Sequence, residues 1–238
     1  MYKKRTALTE ASNANSNGEK ILGAPETIRE SSIITNPKDI KPITVHLPKH
    51  RRPSTDEDFG FYLAGLIDGD GSFQGKQLII AFYELDAPLA YYVKRGLGYG
   101  SITKIKSKRA LKLVISHREG IRKILKLIDG KLRNSTRIEQ VKKNWGLTLS
   151  TPDNSNLLDN YWLAGFSDAD ASFQVKTIPR GNRTEIRLNF QVDLKSKDLL
   201  ELIKSNFGGY IGYRKSQDTY YYGSVSFSNA KKIITHLL

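Results

Sequence analysis

One stretch of sequence occurs twice in this chain, and the repetition limits the folds that are open to it. Residues 61–74 read Phe-Tyr-Leu-Ala-Gly-Leu-Ile-Asp-Gly-Asp-Gly-Ser-Phe-Gln. Residues 161–174 read Tyr-Trp-Leu-Ala-Gly-Phe-Ser-Asp-Ala-Asp-Ala-Ser-Phe-Gln. Leu, Ala, Gly, both Asp, Ser, Phe and Gln recur at the same offsets, which composition alone does not produce. The repetition predicts two copies of one structural unit within a single chain.

Each copy of the repeat begins with an apolar run that is typical of a helix, with small residues four positions apart. Gly65 is followed by Gly69, and Gly165 by Ala169. Glycine inside a helix costs roughly 1 kcal/mol relative to alanine. Small residues at this spacing offset that cost where two helix backbones approach closely. We therefore expect the two helices to pack against each other through these four residues; the alternative is a glycine-interrupted core helix without such a partner.

Two carboxylates stand where these helices should end. Asp70 and Asp170 face the negative end of the helix macrodipole, and pairing the helices brings the two like charges together. Hard divalent ions such as Mg²⁺ commonly bind through one or two carboxylates plus substrate phosphates. The pattern predicts a metal site on a pseudo-twofold axis, against the alternative of solvated helix-end aspartates. Asp68 and Asp168 are expected to serve the helix ends and the helix interface instead.

The repeated motifs resemble a known family. LAGLIDGDG at 63–71 and LAGFSDADA at 163–171 are similar to the paired signature of the LAGLIDADG homing endonucleases, in the single-chain, two-motif form encoded in organellar introns. The first motif departs at Gly69, and the second at Phe166, Ser167 and Ala171. The resemblance runs from about residue 58 to the end. It implies an α+β fold of two pseudo-symmetric αββαββα units, joined at a central pair of LAGLIDADG helices, with antiparallel sheets forming a DNA-binding saddle.

The resemblance also implies an activity, which is a metal-dependent double-strand break in a long, non-palindromic DNA target, as in intron homing. Asp70 and Asp170 match the family's catalytic, metal-binding acids, with Gly69 and Ala169 beside them in the metal site. The implied ion is Mg²⁺, with Mn²⁺ or Ca²⁺ able to substitute for binding. The family also places a basic residue near each site, for which Arg118 and Lys195 are the candidates.

Other functions fit the same sequence. Some family members are maturases, which bind group I intron RNA as splicing cofactors, and a non-cleaving DNA-binding protein could use the same fold. Intact acids at both motifs favour the nuclease over these two alternatives. A purely structural interaction protein would leave the basic excess unexplained. Two motifs in one chain also predict a monomer that acts as a pseudo-dimer.

The composition of the chain limits the kinds of binding partner and compartment that are expected for it. The formal net charge of +14 and the pI near 9.7 indicate a polyanionic partner, most simply nucleic acid, although charge alone leaves a basic membrane-surface protein open. The absence of cysteine excludes disulfides and cysteine-bound metals and fits an intracellular compartment. No apolar run approaches the roughly 20 residues that span a membrane. The family resemblance implies a mitochondrial location.

Composition also predicts the domain boundaries. Residues 1–55 are rich in Asn, Ser, Thr, Lys and Pro, which predicts a disordered or tethering segment. A first unit is expected at 56–149, a turn-rich linker at 150–157 and a second unit at 158–238. The first copy continues further past its last hairpin than the second does, so we expect the C-terminus of the second unit to be incomplete.

The second copy contains a long hairpin that alternates polar and apolar residues, as a half-exposed antiparallel sheet does. Its polar positions carry side chains that read base edges, and the alternative is a solvated sheet face. The apolar positions are Ile186, Leu188, Phe190 and Val192. The predicted DNA-binding residues of this copy are Ser172, Gln174, Lys176, Arg180, Arg183, Glu185, Arg187, Asn189, Gln191, Arg214 and Lys215.

The first copy has fewer base-reading groups and a strongly basic second hairpin. Its predicted DNA-binding residues are Ser72, Gln74, Lys76, Tyr83, Lys104, Lys106, Lys108 and Arg109. Contacts to phosphate position a protein without specifying sequence, whereas contacts to base edges specify. We therefore predict an asymmetric reader, in which the second half makes more base contacts and the first half relies more on phosphates.

Overall fold

The computed structural model of the chain describes residues 52–152, 156–224 and 226–237. Most of the predicted tether 1–55 and residues 153–155 of the predicted linker lie outside these ranges. The first unit contains α1 (Asp56–Asp70), β1 (Gly71–Gln74), β2 (Gln77–Tyr83), α2 (Ala87–Leu97), β3 (Ser101–Lys104), β4 (Ala110–Ile115), α3 (Arg118–Ile128) and α4 (Ser135–Trp145). The second contains α5 (Trp162–Asp170), β5 (Ala171–Arg180), β6 (Arg183–Leu194), α6 (Asp198–Phe207), β7 (Tyr210–Arg214), β8 (Thr219–Gly223) and α7 (Phe227–Leu237).

Each unit forms one antiparallel four-stranded sheet. The strand orders are β1-β2-β4-β3 and β5-β6-β8-β7, so the same topology occurs twice. The predicted α+β fold with a repeated αββαββα unit is confirmed. The first hairpins differ in length, because β1 pairs with β2 over four positions and β5 with β6 over ten.

Helix α1 is positioned by its ends. The Thr55 hydroxyl accepts a hydrogen bond from the Asp58 amide at 3.1 Å, and acidic residues fill the positive first turn. At the other end, Gly71 is extended, and its amide still donates to the carbonyl of Ile67. The chain therefore passes directly from the helix into β1, which fixes Asp70 at the junction of helix and sheet.

The core is shared between the two units. Leu63 and Leu66 of α1 and Trp162, Leu163 and Phe166 of α5 are fully buried in one continuous apolar cluster. The central helices carry apolar side chains on most sides, because they are covered by each other and by both sheets. Within the described residues, no helix is long and apolar enough to cross a membrane.

Candidate active site at the paired helices

The two central helices touch backbone to backbone at their middle glycines. A β-carbon on Gly65 would overlap the carbonyl oxygen of Trp162, and one on Gly165 would overlap that of Tyr62. The two contacts are reciprocal, as a pseudo-twofold axis between α1 and α5 requires. Any side chain at either glycine would force the helices apart.

The same axis brings the ends of the two helices together. A β-carbon on Gly69 would overlap the β-carbon of Ala169, and it would lie 3.6 Å from Oδ2 of Asp170. Asp70 is exposed and Asp170 is half-buried. Gly69, Ala169, Asp70 and Asp170, which the sequence assigns to one metal site, therefore lie at one place in the fold.

A basic residue that the sequence reasoning missed lies at this place. Nη2 of Arg137, on α4, donates to the carbonyl oxygen of Gly69 at 3.2 Å. Burial lowers the pKa of Arg137, while the negative charges of Asp68, Asp170 and Asp70 oppose that decrease. The Arg137 guanidinium therefore lies close enough to interact electrostatically with all three carboxylates. Nothing in the motif marks Arg137, because packing of a helix far along the chain brings it here.

The two basic residues proposed from the sequence are both exposed. Arg118 is the exposed first residue of α3, and Lys195 is exposed in the bend that follows β6. Neither forms an ion pair within the described parts of the chain. Their catalytic role stays a prediction, and Arg137 joins them as a candidate.

Asp68 and Asp168 hold the helix pair together, as predicted. Asp68 is 2% exposed and accepts hydrogen bonds from Nε1 of Trp162 at 2.9 Å and from the amides of Arg133 and Asn134 at 2.7 and 3.2 Å. Burial raises the pKa of Asp68 to about 7, and these donors oppose the increase. Asp168 is exposed and accepts from the hydroxyl of Tyr62 at 2.7 Å. The hydrogen bonds Trp162–Asp68 and Tyr62–Asp168 therefore both connect α1 with α5.

The donor set suits a hard divalent ion. Asp70 and Asp170 supply two carboxylates, and no group of three or more His, Cys, Asp or Glu suitable for a metal occurs in the described residues. The carbonyl of Gly69 is already bonded to Arg137. Mg²⁺ characteristically binds to few protein carboxylates, retains water and takes further ligands from substrate phosphates. The chemistry of the residues present fits such an ion.

The second sheet collects the predicted base-reading side chains on one face. Ser172 lies opposite Gln191, Gln174 opposite Asn189, and Lys176 opposite Arg187, so each pair shares a face. The carboxamides contact one another: Nδ2 of Asn189 lies 3.4 Å from the side-chain oxygens of both Gln174 and Gln191. The result is a continuous ribbon of exposed and half-buried donors and acceptors.

Ion pairs connect the charged side chains of this face with one another. Glu185 bonds to Arg180 and Arg187 near the hairpin tip. Arg214 pairs with Asp193, which also accepts from Nε2 of Gln191 at 2.8 Å. The remaining predicted residues of this half, Arg183 and Lys215, are exposed.

The first sheet has a different surface. Its outer face carries Ser72 opposite Ile79, Gln74 opposite Gln77, and Ala81 opposite Lys112. Lys112, which belongs to the basic second hairpin predicted to meet phosphates, is exposed and alternates with buried Leu113.

Several basic residues of the first unit are engaged by other groups of the protein. Lys104 and Arg109 pair with Glu84 at 2.8 and 3.6 Å, and the Arg109 guanidinium lies 5.6 Å from the ring centre of Tyr83. Lys104 also lies in the core-face register, opposite Leu111. Lys106 and Lys108 are exposed, while Lys76 donates to the carbonyl of Asn144.

The fold and the site together define a class of proteins with two copies of one motif. In this class two copies of an α+β unit are joined at a pair of central helices, which contact each other through small residues and each end in an aspartate. The family described as LAGLIDADG endonuclease matches residues 163–238. An uncharacterized cox1 intron-2 protein of 37.2 kDa from Schizosaccharomyces pombe is 50% identical over 226 residues, covering 90% of this chain and 68% of that protein. The chain belongs to the LAGLIDADG endonuclease family.

Two further relatives have names that point to different activities. The intron-encoded RNA maturase bI4 of Saccharomyces cerevisiae is 28% identical over 177 residues, which are 71% of this chain and 27% of the maturase. The intron-encoded DNA endonuclease ai2b of Dictyostelium discoideum is 27% identical over 183 residues, which are 73% of this chain and 68% of that protein.

Solved structures share the fold. The meganuclease I-AabMI bound to uncleaved DNA superposes with a TM-score of 0.58 at 19% identity, covering 74% of this chain and 82% of that one. I-SmaMI, bound to an uncleaved DNA target in the presence of calcium ions, gives a TM-score of 0.50 at 20% identity, covering 72% and 81%.

Proposed function

We propose that this chain is a site-specific DNA endonuclease that makes a double-strand break in a long, non-palindromic duplex by metal-dependent hydrolysis, as in intron homing. The observation that carries the proposal is the meeting of Asp70 and Asp170 at the adjoining ends of α1 and α5, beside Gly69 and Ala169. Each acid belongs to one of the two related units and directly precedes the first strand of its sheet, so each strand of a duplex would meet one carboxylate.

Asp70 and Asp170 would hold the divalent ion or ions together with the scissile phosphates. A bound Mg²⁺ supplies Lewis-acid polarisation of the phosphoryl oxygen and charge stabilisation of the leaving oxygen. Arg137 would offset the three carboxylates that surround it while no substrate is bound. Mn²⁺ or Ca²⁺ would replace Mg²⁺ for binding, and the calcium-containing DNA complex of I-SmaMI supports a site of this kind.

The two sheets would read the duplex unequally. The carboxamide ribbon of β5 and β6 offers base-reading groups, whereas Lys106, Lys108 and Lys112 of the first unit offer charge for phosphates. The DNA-bound meganuclease and the intron-encoded DNA endonuclease among the similar proteins support duplex DNA as the partner. Two motifs in one chain support a monomer, and the cox1 intron relative supports a mitochondrial origin.

A maturase function is the second candidate. The similarity to the RNA maturase bI4 and the net charge of +14 both favour an RNA partner. A maturase would need the fold and the basic surface but not the two helix-end acids. Maturase activity on intron RNA and endonuclease activity on DNA can also coexist in one protein.

A selection from a randomised duplex library tests the proposal. The chain is incubated with the library and Mg²⁺ or Mn²⁺, and double-strand cuts are captured and sequenced. We expect one long, non-palindromic consensus that is cut on both strands. Retained binding to duplex or intron RNA, without any enriched cut site, would reject the endonuclease and favour the maturase or a non-cleaving binder.

A further inference from the structure

Successive tyrosines on β8 lie on opposite faces of the second sheet. Tyr222 is opposite Val192 of β6, and both side chains are fully buried. The neighbouring pair, Tyr221 with Asp193, therefore lies on the other face. Gln191, two positions before Asp193, is on that face too, so Tyr221 shares the surface of the carboxamide ribbon.

Two aromatic rings on this face lie against glycines of the neighbouring strand. Tyr221 is opposite Gly212 of β7, and a β-carbon on Gly212 would overlap the Tyr221 ring. Tyr210 is opposite Gly223 of β8, and a β-carbon on Gly223 would overlap the Tyr210 ring. Glycine inside a strand often marks the close approach of another group. Both rings therefore lie close against the sheet, edge to face, with their centres 5.7 Å apart.

An arginine completes this group of side chains. Arg214 lies on β7 two positions after Gly212, and its guanidinium reaches across β8 to pair with Asp193 on β6. The same guanidinium lies 4.6 Å from the centre of the Tyr221 ring. Asp193 also accepts from Nε2 of Gln191 at 2.8 Å, which connects the group to the carboxamide ribbon. The tyrosine–arginine cluster is defined by four residues: Tyr210, Tyr221, Arg214 and Asp193.

The equivalent positions of the first unit carry different side chains. Ser72 and Ser172 occupy the same motif position and lie opposite Ile79 and Gln191, which aligns the two sheets row by row. In this alignment three residues of the cluster have counterparts of another kind: Lys112 for Tyr221, Ser101 for Tyr210 and Ala81 for Asp193. The repeated fold therefore forms without an aromatic cluster at this place, which favours a role in binding over a role in folding.

The cluster offers two kinds of contact to a major groove. Arginine pairs with O6 and N7 of guanine, and an apolar surface packs on the C5-methyl group of thymine. The bond to Asp193 uses Nη1 of Arg214, and a guanidinium has five N–H donors, so donors remain for a base. The 4.6 Å between the guanidinium and the Tyr221 ring is comparable to the rise of about 3.4 Å between base pairs. The two groups would therefore meet neighbouring base pairs.

We infer that the tyrosine–arginine cluster reads a guanine and a neighbouring thymine in the part of the DNA target that the second unit contacts. Arg214 binds the edge of the guanine, and the Tyr221 ring packs on the methyl group of the thymine. This inference rests on the proposed binding of duplex DNA and is independent of cleavage.

Single-atom and single-group changes in the DNA test each contact without altering the protein. Duplexes are selected from a random library by binding in Ca²⁺, so that cleavage is not required. In the tightest duplex, each thymine in turn is replaced by deoxyuridine, which lacks the C5-methyl group, and each guanine by 7-deazaguanine, which lacks the N7 acceptor. Kd is measured at one fixed salt concentration, because phosphate contacts make it depend on salt. The proteins are the wild type, Tyr221→Ala, Arg214→Ala and Tyr213→Ala.

We expect one deoxyuridine to weaken binding of the wild type by about 4-fold, as the loss of one buried methyl group does. A neighbouring 7-deazaguanine should weaken it by about 5-fold. Tyr221→Ala should lose the deoxyuridine effect, and Arg214→Ala should lose the 7-deazaguanine effect. Tyr213→Ala is the matched control, because Tyr213 is also on β7 and 47% exposed but lies on the opposite face, and it should keep both effects.

A deoxyuridine effect that survives Tyr221→Ala would overturn the inference and leave duplex binding intact, because the methyl group would then be read elsewhere. The same conclusion would follow if the wild type showed no neighbouring pair of effects, and this result needs no variant that folds. Failure to select any duplex would overturn the proposed DNA function together with the inference.

Discussion

Gly69 and Ala169 face each other across the α1–α5 pair with room for only one β-carbon between the helices. Alanine is intrinsically the better helix former by roughly 1 kcal/mol, so propensity alone predicts that Gly69→Ala stabilises the protein. The contact predicts the reverse. We expect Gly69→Ala to lower the free energy of unfolding by about 1–3 kcal/mol, as overpacking does, in urea denaturation.

The double variant Gly69→Ala/Ala169→Gly is the control for this contact. It moves the single β-carbon from one helix to the other, and we expect it to recover most of the lost stability. A double variant as unstable as Gly69→Ala would show that the β-carbon of Ala169 is not the obstacle.

Asp68→Asn and Asp168→Asn make the same change at equivalent positions with different burial. Asp68 accepts three N–H bonds through its two carboxylate oxygens, and in asparagine one of these oxygens is replaced by an NH₂ group that cannot accept. We expect Asp68→Asn to lower the free energy of unfolding by about 1–3 kcal/mol, because a buried donor loses its acceptor. The same change at exposed Asp168 should lower the free energy of unfolding by about 0.5 kcal/mol or less. Equal effects in chemical denaturation would contradict the asymmetry.

Arg137→Gln tests whether the guanidinium offsets the acidic site. Removing the positive charge leaves Asp70, Asp170 and Asp68 less compensated, so a divalent cation should bind more tightly. We expect a larger rise of Tm on titration with Ca²⁺ in the variant than in the wild type, without DNA. Arg122→Gln, which removes an exposed arginine paired with Glu119, should respond to Ca²⁺ as the wild type does. A weaker Ca²⁺ response in Arg137→Gln would indicate that Arg137 supports the metal site instead.

His236 should make stability depend on pH. Burial beside Phe207 lowers the pKa of His236 below its ordinary 6.5, and the charge of Asp159 opposes the decrease. The unfolded chain therefore binds the proton more readily, so this contribution is present above pH 6.5 and is lost on acidification.

The wild type and His236→Gln are compared by denaturation from pH 8 to pH 5. We expect the wild type to lose more stability over this range than the variant, because glutamine does not titrate. Parallel curves would mean that His236 does not contribute to the pH dependence.

The repeat made the architecture predictable. Leu, Ala and Gly at matching offsets predicted the helix pair, and alternation along β6 predicted which side chains share a face with Asn189 and Gln191. These features are local, since helix and strand periods place them without reference to distant residues.

Other features depend on contacts between distant segments. Arg137 reaches the acidic site because Gln140 and Asn144 anchor α4 on β1, and no local pattern encodes that packing. The ion pairs of Glu84 with Lys104 and Arg109 likewise follow from the turn of the second hairpin toward the end of β2. Phe173 is exposed whereas Phe73 is buried, and this difference could not be inferred from the motif, because the motif around both residues is the same.

The most direct test of the central claim compares cleavage of the selected duplex by the wild type, Asp70→Asn, Asp170→Asn and Asp168→Asn. Cutting is measured in Mg²⁺, and binding is measured by gel shift in Ca²⁺. We expect both helix-end variants to bind the duplex but lose double-strand cleavage by about 10²-fold or more. Asp168→Asn should still cut. Undiminished cleavage by Asp70→Asn and Asp170→Asn would contradict a catalytic site built on these two carboxylates.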